Sequence, residues 1–241
     1  QWSDGNTDNP RTVIVTSDVT YTAEFTKLEQ LNGLFSAGDD TQIYFSRGNL
    51  RYTRSTDTWS FATYQYDFVG AANTNGAELA DVVDLFGWST DGNPNTKWGI
   101  STSTNTDDYK GDFVDWGTNV IGESPANTWR TPTGDEWIYI FTQRPNAGAL
   151  YGVAQVAGVN GLILLPDNWT GVSGITFKSG YPTNNDNFAD YQSFTLDQWN
   201  IMEANGAVFL PQAGMRSGTQ VTDYTHYWAA TKKSDTNAAL L

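Results

Sequence analysis

The chain has 241 residues and ten Trp, which is enough apolar bulk for one folded domain with a smaller appendage. Its 27 acidic residues against 13 basic ones leave a net charge of −14, which argues against nucleic acid and anionic membrane surfaces as partners. There is no cysteine, which removes disulfides, thiolate nucleophiles and Cys-based metal centres together, and no apolar run long enough to cross a membrane.

The chain opens at Gln1 with neither a Met nor a signal peptide, and reads as an internal excerpt. Val13-Ile14-Val15 and Tyr21-Thr22-Ala23-Glu24-Phe25 are β-branched and aromatic runs. With Thr16-Ser17-Asp18 as the turn, they predict a small β hairpin within residues 1–26. Two strands alone are marginal, so this piece must pack on something or belong to a larger unit. A junction follows, with Leu28, Leu31, Leu34 and Phe35 as its apolar stretch. Strand segments are expected at Ile43–Ser46, Leu50–Tyr52 and Trp59–Phe61, and a turn or two of helix from Glu78 to Phe86, closed by Gly87.

Two later helices carry capping boxes. Thr133 and Glu136 precede Trp137, Ile138, Ile140 and Phe141, and Thr195 and Gln198 precede Trp199, Ile201 and Met202. Asn205-Gly206 ends the second. Between them Gly152–Val156, a turn through Gly158–Gly161 and Leu162–Leu165 predict a hairpin, and Ala207–Pro211 reads as a buried strand. Two main helices among many short strands point to an α+β fold.

Two resemblances lie in these residues. Trp2-Ser3-Asp4-Gly5, Asn9-Pro10-Arg11-Thr12-Val13 and Val19–Phe25 resemble the closing half of an internalin-type B repeat, a β-rich spacer of bacterial surface proteins. A longer series begins with Tyr44–Leu50, Gln65-Tyr66-Asp67, Asp84–Trp88 and Asp115-Trp116-Gly117. It continues through Trp129-Arg130-Thr131-Pro132, Glu136-Trp137, Gly161–Trp169, Gly206–Gly214 and Tyr227–Thr231. In this order the motifs resemble the Fibrobacter-type major paralogous domain. That family is similar to the formylglycine-generating-enzyme branch of the C-type-lectin-like fold, which also holds variable proteins diversified by retroelements. The resemblance implies a C-type-lectin-like domain over residues 27–241, following the repeat end at residues 1–26. The family continues past the Tyr-Trp strand into further strands, whereas this chain ends in Ala238-Ala239-Leu240-Leu241, so the domain is either truncated or closed differently.

Catalysis has no apparatus here. The formylglycine-generating enzymes act through a cysteine pair that this chain lacks, and its one histidine, His226, has no G-x-S-x-G elbow to serve. Asp135 with Glu136 is a carboxylate pair, but Glu136 already has a role in the helix cap. For metals, Asp4-x-Asn6-x-Asp8 and Asp91-x-Asn93-x-Asn95 have alternating oxygens without the Gly and Glu of a calcium loop, and Asn184–Asn187 with Asp190 is a third oxygen-rich loop. All three read as turn chemistry, so neither a metal nor another cofactor is expected, and calcium lacks support.

Trp129, Trp137, Trp169 and Trp199 read as core, while Trp88, Trp98 and Trp116 lie in polar, Gly-rich loops and could stack on sugar rings. By resemblance to the retroelement-diversified proteins, the ligand face is built from Arg216, Ser217, Thr222, Asp223, Tyr224, His226 and Trp228. The expected function is a secreted or cell-surface bacterial adhesin of lectin-like kind, binding a glycan or protein without catalysis. The alternatives are a structural or fimbrial subunit and, more remotely, a glycan-active enzyme.

Overall fold

A computed structural model describes residues 29–70, 81–88, 112–182, 187–217, 220–223, 226–234 and 237–240, preceded by residues 2–4, 6, 8, 10–14 and 17–22. Over these residues the protein is mixed α and β, with many short strands in small, mainly antiparallel sheets and few helices.

The strands β1 (Phe35–Gly38) and β2 (Thr41–Ile43) form a hairpin, and β3 (Leu50–Thr53) pairs with both β4 (Thr58–Phe61) and β5 (Val82–Val83). The last pairing corrects the helix expected from Glu78 to Phe86. Residues 71–80 lie outside the description, but Val82 and Val83 are β-branched and fall opposite Thr53 and Tyr52, where a strand edge accepts them. Helix α1 (Gly134–Ile138) starts at the predicted Thr133–Glu136 capping box and runs on into a single π turn, Tyr139–Gln143.

The centre of the fold is the sheet β8-β6-β7-β9, made of β6 (Tyr151–Val156), β7 (Val159–Leu164), β8 (Ser193–Phe194) and β9 (Val208–Pro211). The β6–β7 turn is tighter than expected. Ala157 and Gly158 both have positive φ, and the strand resumes at Val159 instead of after Gly161. Short helix α2 (Phe188–Tyr191), unforeseen in the sequence, precedes β8, which pairs parallel to β6. Helix α3 (Leu196–Ala204) begins at the second predicted capping box.

Alternation along β7 and β9 explains why both read as unbroken apolar runs. Leu162, Leu164, Val208 and Leu210 face Phe35, Trp137 and Ile140, whereas Ile163 and Phe209 face Trp199 and Met202 of α3. Both faces of the sheet are therefore covered. A third core joins Tyr52, Trp59, Val83, Trp116 and Ile121 over the β3–β4–β5 sheet.

Three buried polar side chains stitch these layers together. Gln65 donates to Glu203 Oε1 at 2.7 Å and accepts from the Phe209 backbone at 2.6 Å. Gln192 donates to the carbonyls of Val153 and Lys178. Arg144 spans Ile140, Leu165 and Asp167.

Much of the expected N-terminal hairpin, including Val15, Thr16 and Ala23–Phe25, lies outside the described residues; among the described residues of 1–26 there is no strand, and Ile14 and Val19 are exposed. In the described part Arg11 pairs with Asp4 and lies 4.0 Å over the Tyr21 ring. No helix among the described residues is long and apolar enough to cross a membrane.

Candidate functional site

After β9 the chain turns at Gly214, whose φ of +101° suits glycine, and enters the hairpin β10 (Met215–Ser217) and β11 (Gln220–Thr222). Met215 lies opposite Thr222, and the Thr222 hydroxyl donates to the Met215 carbonyl at 3.2 Å. The chain then passes His226 and Tyr227 into β12 (Trp228–Ser234), which pairs with β13 (Asn237–Leu240).

Strong anchors hold the start of β12. The Tyr227 hydroxyl donates to the Pro211 carbonyl at 3.0 Å and to Asn49 Oδ1 at 3.3 Å. Burial pushes its phenol well above the ordinary range, so it stays a donor. The Trp228 indole donates to the Phe86 carbonyl, and the Trp88 indole donates to the Ala229 carbonyl, both at 2.9 Å. These reciprocal bonds brace the 86–88 loop against β12.

Beneath this segment is a pocket of about 620 Å³ bounded by the β3–β4 sheet, the start of β12 and the loops around Trp116 and Trp129. Asp115 fixes those two loops together. One carboxylate oxygen accepts from Gly117 N at 2.8 Å and the other from Thr131 N at 2.7 Å. Gly117 presses on the Trp129 carbonyl so closely that an added Cβ would lie 1.8 Å from it. Arg130, on the lining, is bidentate to Glu136, which also accepts from Thr133 N. Burial raises the Glu136 carboxyl, but the Arg130 and Thr133 hydrogen bonds outweigh it and hold the group below its ordinary value. Glu136 is thereby a cap and an ion-pair partner, and its coupling to Arg130 explains it better than an acid–base role with Asp135.

The expected ligand face is brought together in part. His226 is exposed at the pocket, Trp228 is half-buried along it, Thr222 ends β11 of the adjoining hairpin, and Asp223 follows it in a bend. Gln212 holds the Asp223 carbonyl at 2.6 Å. The backbones of Arg216 and Ser217 lie in β10, while Tyr224 lies outside the described residues.

Two of the loop tryptophans are placed otherwise than expected. Trp88 and Trp116 are buried, so neither offers a face to a sugar on the surface, and Trp98 lies outside the described residues. Their loops are polar, but the indoles turn inward onto β12 and the third core. Trp129, read as core, lines the pocket, as do Trp116 and Tyr227. No local spacing marks these as neighbours, although Asp115-Trp116-Gly117 and Trp129-Arg130-Thr131-Pro132 both stand out as motifs.

Asp4 and Asn6 accept from the backbone of Asn6 and Asp8, which is turn bonding, and Asn187 caps α2 by accepting from Asp190 N. Asp91, Asn93, Asn95 and Asn184–Asp186 lie outside the described residues. Among the described residues no group of three or more acidic or His side chains is placed to hold a metal.

No family model, no curated protein and no solved structure matches this chain.

Proposed function

We propose that the protein is a non-catalytic, ligand-binding module of lectin-like or adhesin kind, displayed on a bacterial surface or secreted, with its site on residues 213–228. In this reading residues 27–241 adopt a C-type-lectin-like fold of the Fibrobacter-type major paralogous kind, and residues 1–26 are the end of an internalin-type B repeat. The ordered sequence motifs support the family. The observation that carries the site is the convergence of Met215, His226 and Trp228 on one pocket, with the β10–β11 hairpin beginning at its edge. Concave, partly apolar ground rimmed by polar residues suits a glycan or a protein loop.

A structural or fimbrial subunit is the other reading, favoured by the separate two-stranded sheet β12–β13. Exposed Lys232 and Lys233 on β12 oppose strand addition there, which places the binding reading first.

Thermal unfolding across a panel of host and plant glycans tests the proposal. A ligand at about one hundred times its Kd adds about 2.7 kcal/mol to the native state. In a chain of this size that raises the midpoint by roughly 5–10 °C. The rise is expected with one glycan class, to persist in chelator, and to be lost in Arg216→Ala and His226→Ala. A rise unaffected by both substitutions would move the site elsewhere.

A further inference from the structure

Asparagine followed by glycine is a chemically fragile pair, because glycine has no Cβ to shield its backbone nitrogen from the asparagine side chain. Attack of that nitrogen on Cγ closes a cyclic imide and expels the side-chain nitrogen as ammonia. Water then opens the ring at either carbonyl, giving aspartate or isoaspartate. In isoaspartate the main chain runs through Cβ and is one carbon longer. The reaction needs no catalyst, only a free side-chain amide and a free N–H on the glycine. Asn32-Gly33, Asn160-Gly161 and Asn205-Gly206 are the pairs among the described residues, and Asn75-Gly76 lies outside them.

The fold holds two of the three shut. At the end of α3 the Asn205 Nδ2 donates to the Ile201 carbonyl at 2.8 Å. The Gly206 N–H, the nucleophile required, donates to the Glu203 carbonyl at 2.8 Å. Asn160 lies within β7, where its Oδ1 accepts from Gln155 Nε2 at 3.2 Å and its carbonyl from Gln212 N at 2.7 Å. Gly161 is paired on both sides, opposite Ala154 and Pro211. Asn32 differs on each count. Its side chain is exposed, residues 32–34 belong to no helix or strand, and neither Asn32 nor Gly33 makes a hydrogen bond among the described residues. Opening the pair therefore breaks no hydrogen bond, whereas Asn205 must first lose two.

The position also gives the product a structural consequence. Gly33 packs on Gly206 so closely that an added Cβ would lie 2.1 Å from the Gly206 carbonyl oxygen. Gly206 links α3 to β9, and a main chain lengthened by one carbon just before Gly33 has no room to keep that contact. We infer that Asn32 is the site at which the folded chain deamidates and isomerises, and that the isoaspartate product loosens the Gly33–Gly206 contact. The inference rests on no property of the ligand site.

The test incubates the full chain at mildly alkaline pH, where the backbone nitrogen attacks more readily, once folded and once unfolded in guanidinium chloride. Peptide mapping by mass spectrometry reads the amide-to-acid mass change at each pair, and labelling with isoaspartyl methyltransferase reads the isoaspartate. In the folded chain Asn32 should react about tenfold or more faster than Asn160 and Asn205, and unfolding should bring the three rates together. Comparable rates at the three sites in the folded chain, or Asn32 slower than either of the others, would overturn the assignment. Asn32→Gln, an exposed substitution whose larger ring closes slowly, should abolish reaction at that position. The isoaspartate form, isolated by anion exchange, should unfold at lower denaturant than Asn32→Asp, which carries the same added charge on an unlengthened backbone. Coincident unfolding curves for the two would overturn the loosening of the Gly33–Gly206 contact.

Discussion

Arg144→Ala is expected to lower stability by about 3–5 kcal/mol, because it breaks a buried, hydrogen-bonded charge network. The side chain has no exposed surface, and it donates to the carbonyls of Ile140 and Leu165 and to Asp167 Oδ1 at 2.7, 2.9 and 3.0 Å. Asp167 in turn accepts from both the amide and the hydroxyl of Ser36. One guanidinium thus ties the π turn after α1, the end of β7 and the start of β1 together. Removing it strands buried carbonyls and opens a void beside Phe35, whose ring lies 5.4 Å from the guanidinium. The midpoint should fall by roughly 10–15 °C. Arg144→Lys keeps the charge near Asp167 but cannot fork to three acceptors, so an intermediate loss is expected. Equal stability of the alanine variant and the natural chain, measured by denaturant unfolding, would show that the network contributes nothing net.

Gly117→Ala is the second large effect, and it bears on the site. The added methyl would lie 1.8 Å from the Trp129 carbonyl, a backbone atom that cannot rotate away. The 115–117 and 129–131 segments must separate, which strains the Asp115 bridge between them. Overpacking of this kind costs about 3 kcal/mol. It should also weaken any ligand response, since the same shift displaces two pocket walls. Gly148→Ala is the matched control, because nothing lies within 4 Å of its added methyl. Its effect should stay within about 0.5 kcal/mol. Similar unfolding midpoints for the two variants would contradict the packing described for Gly117.

The parts of the fold legible in the sequence are those decided locally. Both capping boxes form where Thr133–Glu136 and Thr195–Gln198 predict them, because each box closes within one helical turn. The runs Leu162–Leu165 and Ala207–Leu210 are buried as expected, yet only the three-dimensional register shows which residue meets which core. Where distant partners decide, local reading fails. Val82 and Val83 join β3 instead of a helix, and Trp88 and Trp116 leave polar loops for the interior. At the proposed site, the His226–Trp228 segment is singled out in the sequence by resemblance alone, whereas the share of Trp116, Trp129 and Tyr227 in one pocket depends on contacts far apart in the chain.

The central claim, that residues 213–228 and the pocket under them receive the ligand, is tested most directly by amide hydrogen exchange. The full chain is compared free and with a glycan that raises its unfolding midpoint. Slowed exchange should concentrate in residues 213–223 and 226–228 and in the 115–117 and 129–131 loops, with β6 and α3 unchanged. Protection confined to α3 or β6, with exchange across residues 213–228 unaltered, would contradict the account.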